Sequence, residues 1–90
     1  MLGSVYKLHH KTNKQLKFYI GSTTNDKIRK IRHKYYCTGS KCKKYNYPLY
    51  RYIRANGGWD SWTMTPILTS GKYKEIEGLF IRRSWDKNIN

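Results

Sequence analysis

The sequence predicts an α/β chain of the α+β type, a small three-stranded antiparallel sheet flanked by three helices in the order β-β-α-α-β-α. Three observations carry that expectation. Residues 18–36 pass from strand formers (Phe18, Tyr19, Ile20) through Gly21 and the turn types Ser22–Asn25 into a helical period. A second helix is punctuated at both ends, by Pro48 at its start and Asn56-Gly57-Gly58 at its stop. Ninety residues make one domain, residues 1–90, with a single modest core.

Taken in order, residues 3–9 read as the first strand on Val5 and Tyr6. His10 to Gln15 is a polar turn with Asn13 near its apex, and Leu16 to Ile20 returns as the second strand, ended by Gly21. Tyr6 and Tyr19 then lie on neighbouring antiparallel strands. The first helix runs from about Asp26 to Tyr36, with Asp26 in the first turn, where a negative charge suits the helix dipole. Ile28, Ile31 and Tyr35 share one face at i, i+3 and i+7, the spacing of an apolar stripe.

Residues 37–47 form a lysine-rich loop in which like charges resist compaction. The second helix carries Leu49, Tyr52 and Ile53 as its stripe. Residues 59–68 alternate as the third strand, and Pro66 places that end at a sheet edge or a bulge. Ser70 is the cap expected for a third helix over about residues 72–85, with Tyr73, Ile76, Leu79 and Phe80 inward and Glu77 at the margin of that stripe. The tail, residues 86–90, frays unless it is pinned.

Nineteen Lys and Arg against five acids give a formal charge of +14, which predicts an anionic partner, and nucleic acid is the usual one. No apolar run approaches ~18 residues, so no membrane partner is expected, and the first residues lack an apolar signal core. Cys37 and Cys42 lie in a polar stretch and read as free thiols of an intracellular protein. No zinc is expected, because His9, His10 and His33 do not take a finger-like spacing with them. A monomer is the default, with no sequence feature bearing on the oligomeric state.

The acids are too few for a carboxylate-rich two-metal site, which leaves one hard cation held by one carboxylate, water and phosphate. Read alone, Glu77 is a solvated helix glutamate, Arg29 a surface residue of a basic helix and His33 a half-exposed helix histidine. Placement raises Arg29 and His33. Arg29 and His33 are four residues apart on one helix that follows the Tyr19 strand end. A phenol ionises near ~10 and is a poor base unless cations lower it, while desolvation pushes the other way. Trp59, Trp62 and Trp85 could stack on bases, but core packing and sheet-face anchoring explain them better, since they fall at element ends with apolar neighbours.

In this order, these residues resemble the GIY-YIG endonuclease family. Tyr19-Ile20-Gly21 is the intact second half-motif; Ser4-Val5-Tyr6 stands for the first and keeps only its tyrosine. Arg29 sits where the family has its arginine, and His33 where it has histidine or tyrosine. The segment I-E-G-L-F-I resembles the one that carries the metal-binding glutamate, placing it at Glu77 rather than Glu75. The terminal N-I-N resembles the motif ending in a functional asparagine, assigned to Asn90 with Asn88 as the rival. Residues 49–62 are similar to the helix-and-strand link of homing-type and large-virus members.

The resemblance implies a DNA phosphodiester hydrolase using one Mg2+ or Mn2+ at Glu77. In it Arg29 holds the phosphate, and Tyr6 or Tyr19, assisted by His33, takes a proton from water. Asn90 orients groups at the site. Which phenol is the base stays open. The competing expectation is a basic nucleic-acid-binding domain of the same fold without activity, and a weaker one is a structural protein of a ribosome or capsid.

Overall fold

The computed structural model describes all 90 residues. Strand β1 spans Gly3–His10, β2 Tyr19–Thr23, helix α1 Asp26–Thr38, α2 Pro48–Ala55, β3 Trp62–Ser70 and α3 Tyr73–Arg83, with a single 3-10 turn over Trp59–Ser61. The order is β-β-α-α-β-α, and the sheet is antiparallel with β1 between β2 and β3. No helix is long and apolar enough to cross a membrane.

The pleat sorts β1 into two faces. Tyr6 pairs with Gly21, and Leu8 with Tyr19 and Met64, so these share one face. Helices α1 and α2 cover it, and its core is Leu8, Cys37, Leu49, Tyr50, Ile53 and Trp62. Gly3, Val5, Lys7, Ile20 and Ser22 alternate to the other face. There the Tyr73 ring of α3 lies against Gly3, where a Cβ would be 2.5 Å from it, and Ser22 bonds Glu77. The sheet is thus sandwiched, with α1 and α2 on one side and α3 on the other.

Pro66 sits as its chemistry requires. β3 is an edge strand, and its register with β1 shifts between Val5 and Tyr6, which pair with Leu68 and Pro66 and leave Ile67 as the bulged residue. Gly57 and Gly58 take φ of 99° and 78°, ending α2 with the Gly58 N–H donating to the Ile53 carbonyl at 2.9 Å. Asn25 caps α1, its side chain accepting from the Ile28 N–H at 3.1 Å.

Several expectations fail. β2 does not end at Gly21 but runs on to Thr23, because Gly21 is a point of close approach inside the strand rather than a turn. The stripe Ile28, Ile31, Tyr35 is exposed at 47%, 67% and 58%, whereas His33 and Cys37 of α1 are buried. Helical spacing identifies a face but not its direction, and here α1 turns Arg29, His33 and Cys37 to the sheet. In α2 the buried tyrosine is Tyr50 rather than Tyr52, whose hydroxyl accepts from the Lys17 N–H at 3.0 Å. Leu79 of α3 is 54% exposed. Ser70 closes β3 instead of capping α3, accepting from the Lys72 N–H at 3.1 Å.

The lysine-rich loop has anchors. Arg54 donates to the carbonyls of Cys37 at 2.9 Å and Tyr45 at 2.7 Å, and its guanidinium stacks 3.6 Å from the centre of the Tyr45 ring. The tail is also held. Phe18 and Asn88 form a parallel bridge, with Phe18 N–H donating to Lys87 at 3.1 Å and Ile89 N–H to Phe18 at 2.8 Å.

These burials give a paired expectation. Ile53→Ala removes a side chain with no exposure and costs about 2–5 kcal/mol in urea unfolding. Ile31→Ala, on the exposed stripe, stays within about 0.5 kcal/mol of the unsubstituted chain.

Candidate active site

Gly21 makes the site possible. A Cβ there would lie 2.4 Å from the Tyr6 hydroxyl oxygen and 2.8 Å from the Tyr19 ring, so only glycine lets the two phenols close over β2. The Tyr6 and Tyr19 ring centres are 6.3 Å apart, and each lies 5.8 Å from the His33 imidazole in an edge-on arrangement. Tyr6 has no exposure, His33 1%, and Tyr19 is half-buried.

A chain of polar atoms runs through this cluster. Arg29 Nε donates to the Tyr6 hydroxyl at 3.2 Å, the hydroxyl meets His33 Nε2 at 2.7 Å, and His33 Nδ1 meets the Tyr50 hydroxyl at 2.9 Å. Neutral imidazole has one donor and one acceptor nitrogen. Because the Tyr6 oxygen already accepts from Arg29, the consistent assignment has Tyr6 O–H donating to Nε2 and Nδ1–H donating to Tyr50.

Burial sets the protonation states. Desolvation, reinforced by Arg29 and Lys44, lowers His33 to about 4, so the ring is neutral at pH 7. Desolvation raises Tyr6 to about 12; the Arg29 hydrogen bond opposes this, while the charges of Tyr19 and Glu77 add to it. Burial works against the Arg29 charge, but the Tyr6 hydrogen bond and Tyr19 outweigh it and hold the guanidinium above its ordinary value. Tyr50 is raised by burial as well. At rest Arg29 is a fixed cation facing the neutral rings of Tyr6, His33 and Tyr50.

Glu77 arrives from the other side. It is half-buried on α3, and its Oε1 accepts from Ser22 Oγ at 2.5 Å. Ser22 follows Gly21 in β2, so the carboxylate sits at the sheet edge beside the glycine that bears the phenols on its opposite face. Nowhere do three or more His, Cys, Asp or Glu side chains gather in a way that would hold a metal ion. The donors at Glu77 are hard oxygens, a carboxylate and a hydroxyl, of the type that binds Mg2+ or Mn2+ when water and phosphate complete the shell.

Asn90 and Asn88 divide differently from the reading of the terminal motif. Asn90 Nδ2 donates to the Ile20 carbonyl at 2.7 Å and its Oδ1 accepts from the Ile20 N–H at 3.0 Å, so it completes the free edge of β2 between Tyr19 and Gly21. It makes no hydrogen bond to Tyr6, Arg29, His33 or Glu77. Asn88, buried, donates to the carbonyls of Ile81 and Ser84 and closes the end of α3.

Three contributors were not singled out from the sequence. Tyr50 orients His33, Ser22 holds Glu77, and Ser4 Oγ donates to Asp26 Oδ2 at 3.0 Å, tying β1 to the start of α1. The other Asp26 oxygen is buried without a partner. The one available signal for Tyr50 was its place three residues before Ile53, a spacing that lets the two share a helix face.

A buried neutral His33 makes stability depend on pH. The unfolded ring takes up its proton near its ordinary 6.5 and the folded ring only near about 4. Its contribution is whole above pH 6.5 and is lost as pH falls through that window, by roughly 3 kcal/mol in all. Urea midpoints measured from pH 7 to pH 4 should fall accordingly, and His33→Gln should flatten that part of the curve.

Comparison of the chain with protein-family models, with curated protein sequences and with solved structures returns no match.

Proposed function

We propose that this protein is a metal-dependent DNA endonuclease that hydrolyses phosphodiester bonds, with the GIY-YIG type of site that the sequence resembles. The observation that carries the reading is the convergence of Arg29, Tyr6, His33 and Tyr50 in one hydrogen-bonded chain, with Glu77 secured to the residue beside Gly21. A structural basic protein has no need for a buried neutral histidine between two phenols.

The residues divide the work by position. Arg29 is half-buried and always charged, so it holds the scissile phosphate and stabilises the charge that grows on its oxygens. Tyr19 is the phenol that solvent reaches, which supports an attacking water on its side. Tyr6 is wholly buried and works through its hydrogen bonds. As water attacks phosphorus and the bond to the leaving oxygen breaks, the water proton passes either to the Tyr19 oxygen, whose own proton has first gone to solvent, or to the Tyr6 oxygen once substrate binding opens that phenol to the water. Where that phenol is Tyr6, its own proton moves to His33 Nε2, so no free tyrosinate needs to form. Tyr50 takes up the hydrogen bond of Nδ1–H and keeps the ring oriented. Glu77 and Ser22 are the residues that would hold the divalent cation. Such a cation, when bound, supplies charge neutralisation at the leaving oxygen.

A second reading is a nucleic-acid-binding domain without catalysis. The full burial of Tyr6 and its elevation to about 12 favour it, because a hidden phenol of that acidity is a weak base at rest. A plasmid-nicking assay separates the two. With Mg2+ or Mn2+ the unsubstituted protein should nick supercoiled DNA, and chelator or Glu77→Ala should abolish nicking. Arg29→Ala should lower the rate by about 10²–10³-fold, as loss of a transition-state donor does. DNA that stays intact under all conditions while still being bound assigns the second reading.

The net charge of +14 gives a further expectation. DNA affinity measured by anisotropy should fall linearly in log–log form with salt, by several orders of magnitude for six or more phosphate contacts between about 50 and 200 mM. Sequence preference should be weak, since a domain of this size has little surface for reading bases.

A further inference from the structure

A cleft of about 480 Å3 opens on the flank of α1, away from the phenols. Lys11, Lys30 and Lys34 line it with Trp59, and Asp60 is the one acid among its walls. We infer that this cleft binds an unpaired nucleotide of the nucleic-acid strand held at the candidate active site, its base stacked on Trp59 and its phosphates among Lys11, Lys30 and Lys34. The inference rests on nucleic acid being the partner.

The walls are built and fixed. The Lys11 N–H donates to the Ser61 carbonyl at 2.8 Å, which fastens the hairpin loop to the turn that carries Trp59. Gly57 and Gly58, with positive φ, swing the chain out of α2 into that turn. Trp59 packs against the core cluster on one side and stays half-buried, leaving ring surface in the cleft. Lys30 and Lys34 stand one turn apart on α1, about 100° round the axis from Arg29 and His33. A strand whose phosphate lies at Arg29 therefore has its neighbouring phosphates within reach of the same helix. Three lysines brought to one concavity repel each other until an anion enters, and an aromatic wall beside them suits a base face of any identity.

The test is binding under chelation, so that hydrolysis plays no part. The probes are a labelled 12-mer of thymidylate, the same strand with abasic sites throughout, and thymidine monophosphate. Trp59→Leu keeps apolar bulk but removes the flat ring, and should weaken binding of the thymidylate strand about five-fold or more while leaving the abasic strand unchanged. Trp59→Tyr should restore most of the loss. Lys30→Gln with Lys34→Gln should weaken both strands alike and make the log–log salt slope shallower by about 1.4.

Equal effects of Trp59→Leu on the two strands, or none on either, overturn the proposal. So does an unchanged salt slope in the double lysine variant, which needs no core residue to repack. If thymidine monophosphate binds as tightly as the 12-mer, the occupant is a free nucleotide and the proposal falls. Base-dependent binding without any nicking sinks the endonuclease reading alone. Nicking without base dependence sinks the cleft alone.

Discussion

The hydrogen bond between the Tyr6 hydroxyl and His33 Nε2 is the interaction on which the rest of the structure turns. It joins the central strand to the first helix in a region sealed from water. Both partners are buried, and each carries a second bond, Tyr6 to Arg29 and His33 to Tyr50. A buried polar group left unpaired costs about 1–3 kcal/mol, so the four groups hold one another in place. The bond also requires Gly21, because any side chain there would occupy the space of the phenol. One glycine, one phenol and one imidazole thus fix how α1 lies on the sheet.

That arrangement explains why α1 is turned as it is. Helices normally bury their most apolar face. Here Ile28, Ile31 and Tyr35 face outward so that Arg29, His33 and Cys37 can face the strands. The buried polar chain has taken a place that an apolar stripe would fill in an ordinary core. A charged guanidinium and a neutral imidazole thus stand where aliphatic packing would be more favourable, and that placement is what makes the cluster a candidate site. The same choice leaves lysines and apolar side chains of α1 on the outer surface, where the cleft with Trp59 forms.

The sheet acts as a partition that is thin at one point. The phenols, Arg29 and His33 lie on one face, and Glu77 belongs to the helix on the other. β2 is an edge strand, and Gly21 and Ser22 sit side by side in it, one under Tyr6 and the other bonded to Glu77. The carboxylate therefore stands next to the cluster without entering it. Asn90 completes the remaining edge of the same strand through Ile20, so the segment from Tyr19 to Ser22 is held from three directions.

The sequence by itself determined the element order, the two glycines that stop α2 and the edge-or-bulge position of Pro66. These follow from local chemistry: which residues tolerate positive φ, which lack an N–H, and which spacings share a helix face. The candidates Tyr6, Tyr19, Arg29, His33 and Glu77 came from the resemblance of the motifs, with the i, i+4 spacing of Arg29 and His33 beside it. Tertiary structure alone decided which face of α1 is buried, that Tyr50 rather than Tyr52 points inward, that Gly21 lies within β2, and that Asn90 binds a strand edge. Each of those depends on what stands opposite, and spacing along a chain carries no information about the partner across the sheet. Periodicity defines a stripe, but only the competition among buried polar and apolar partners decides which way it faces.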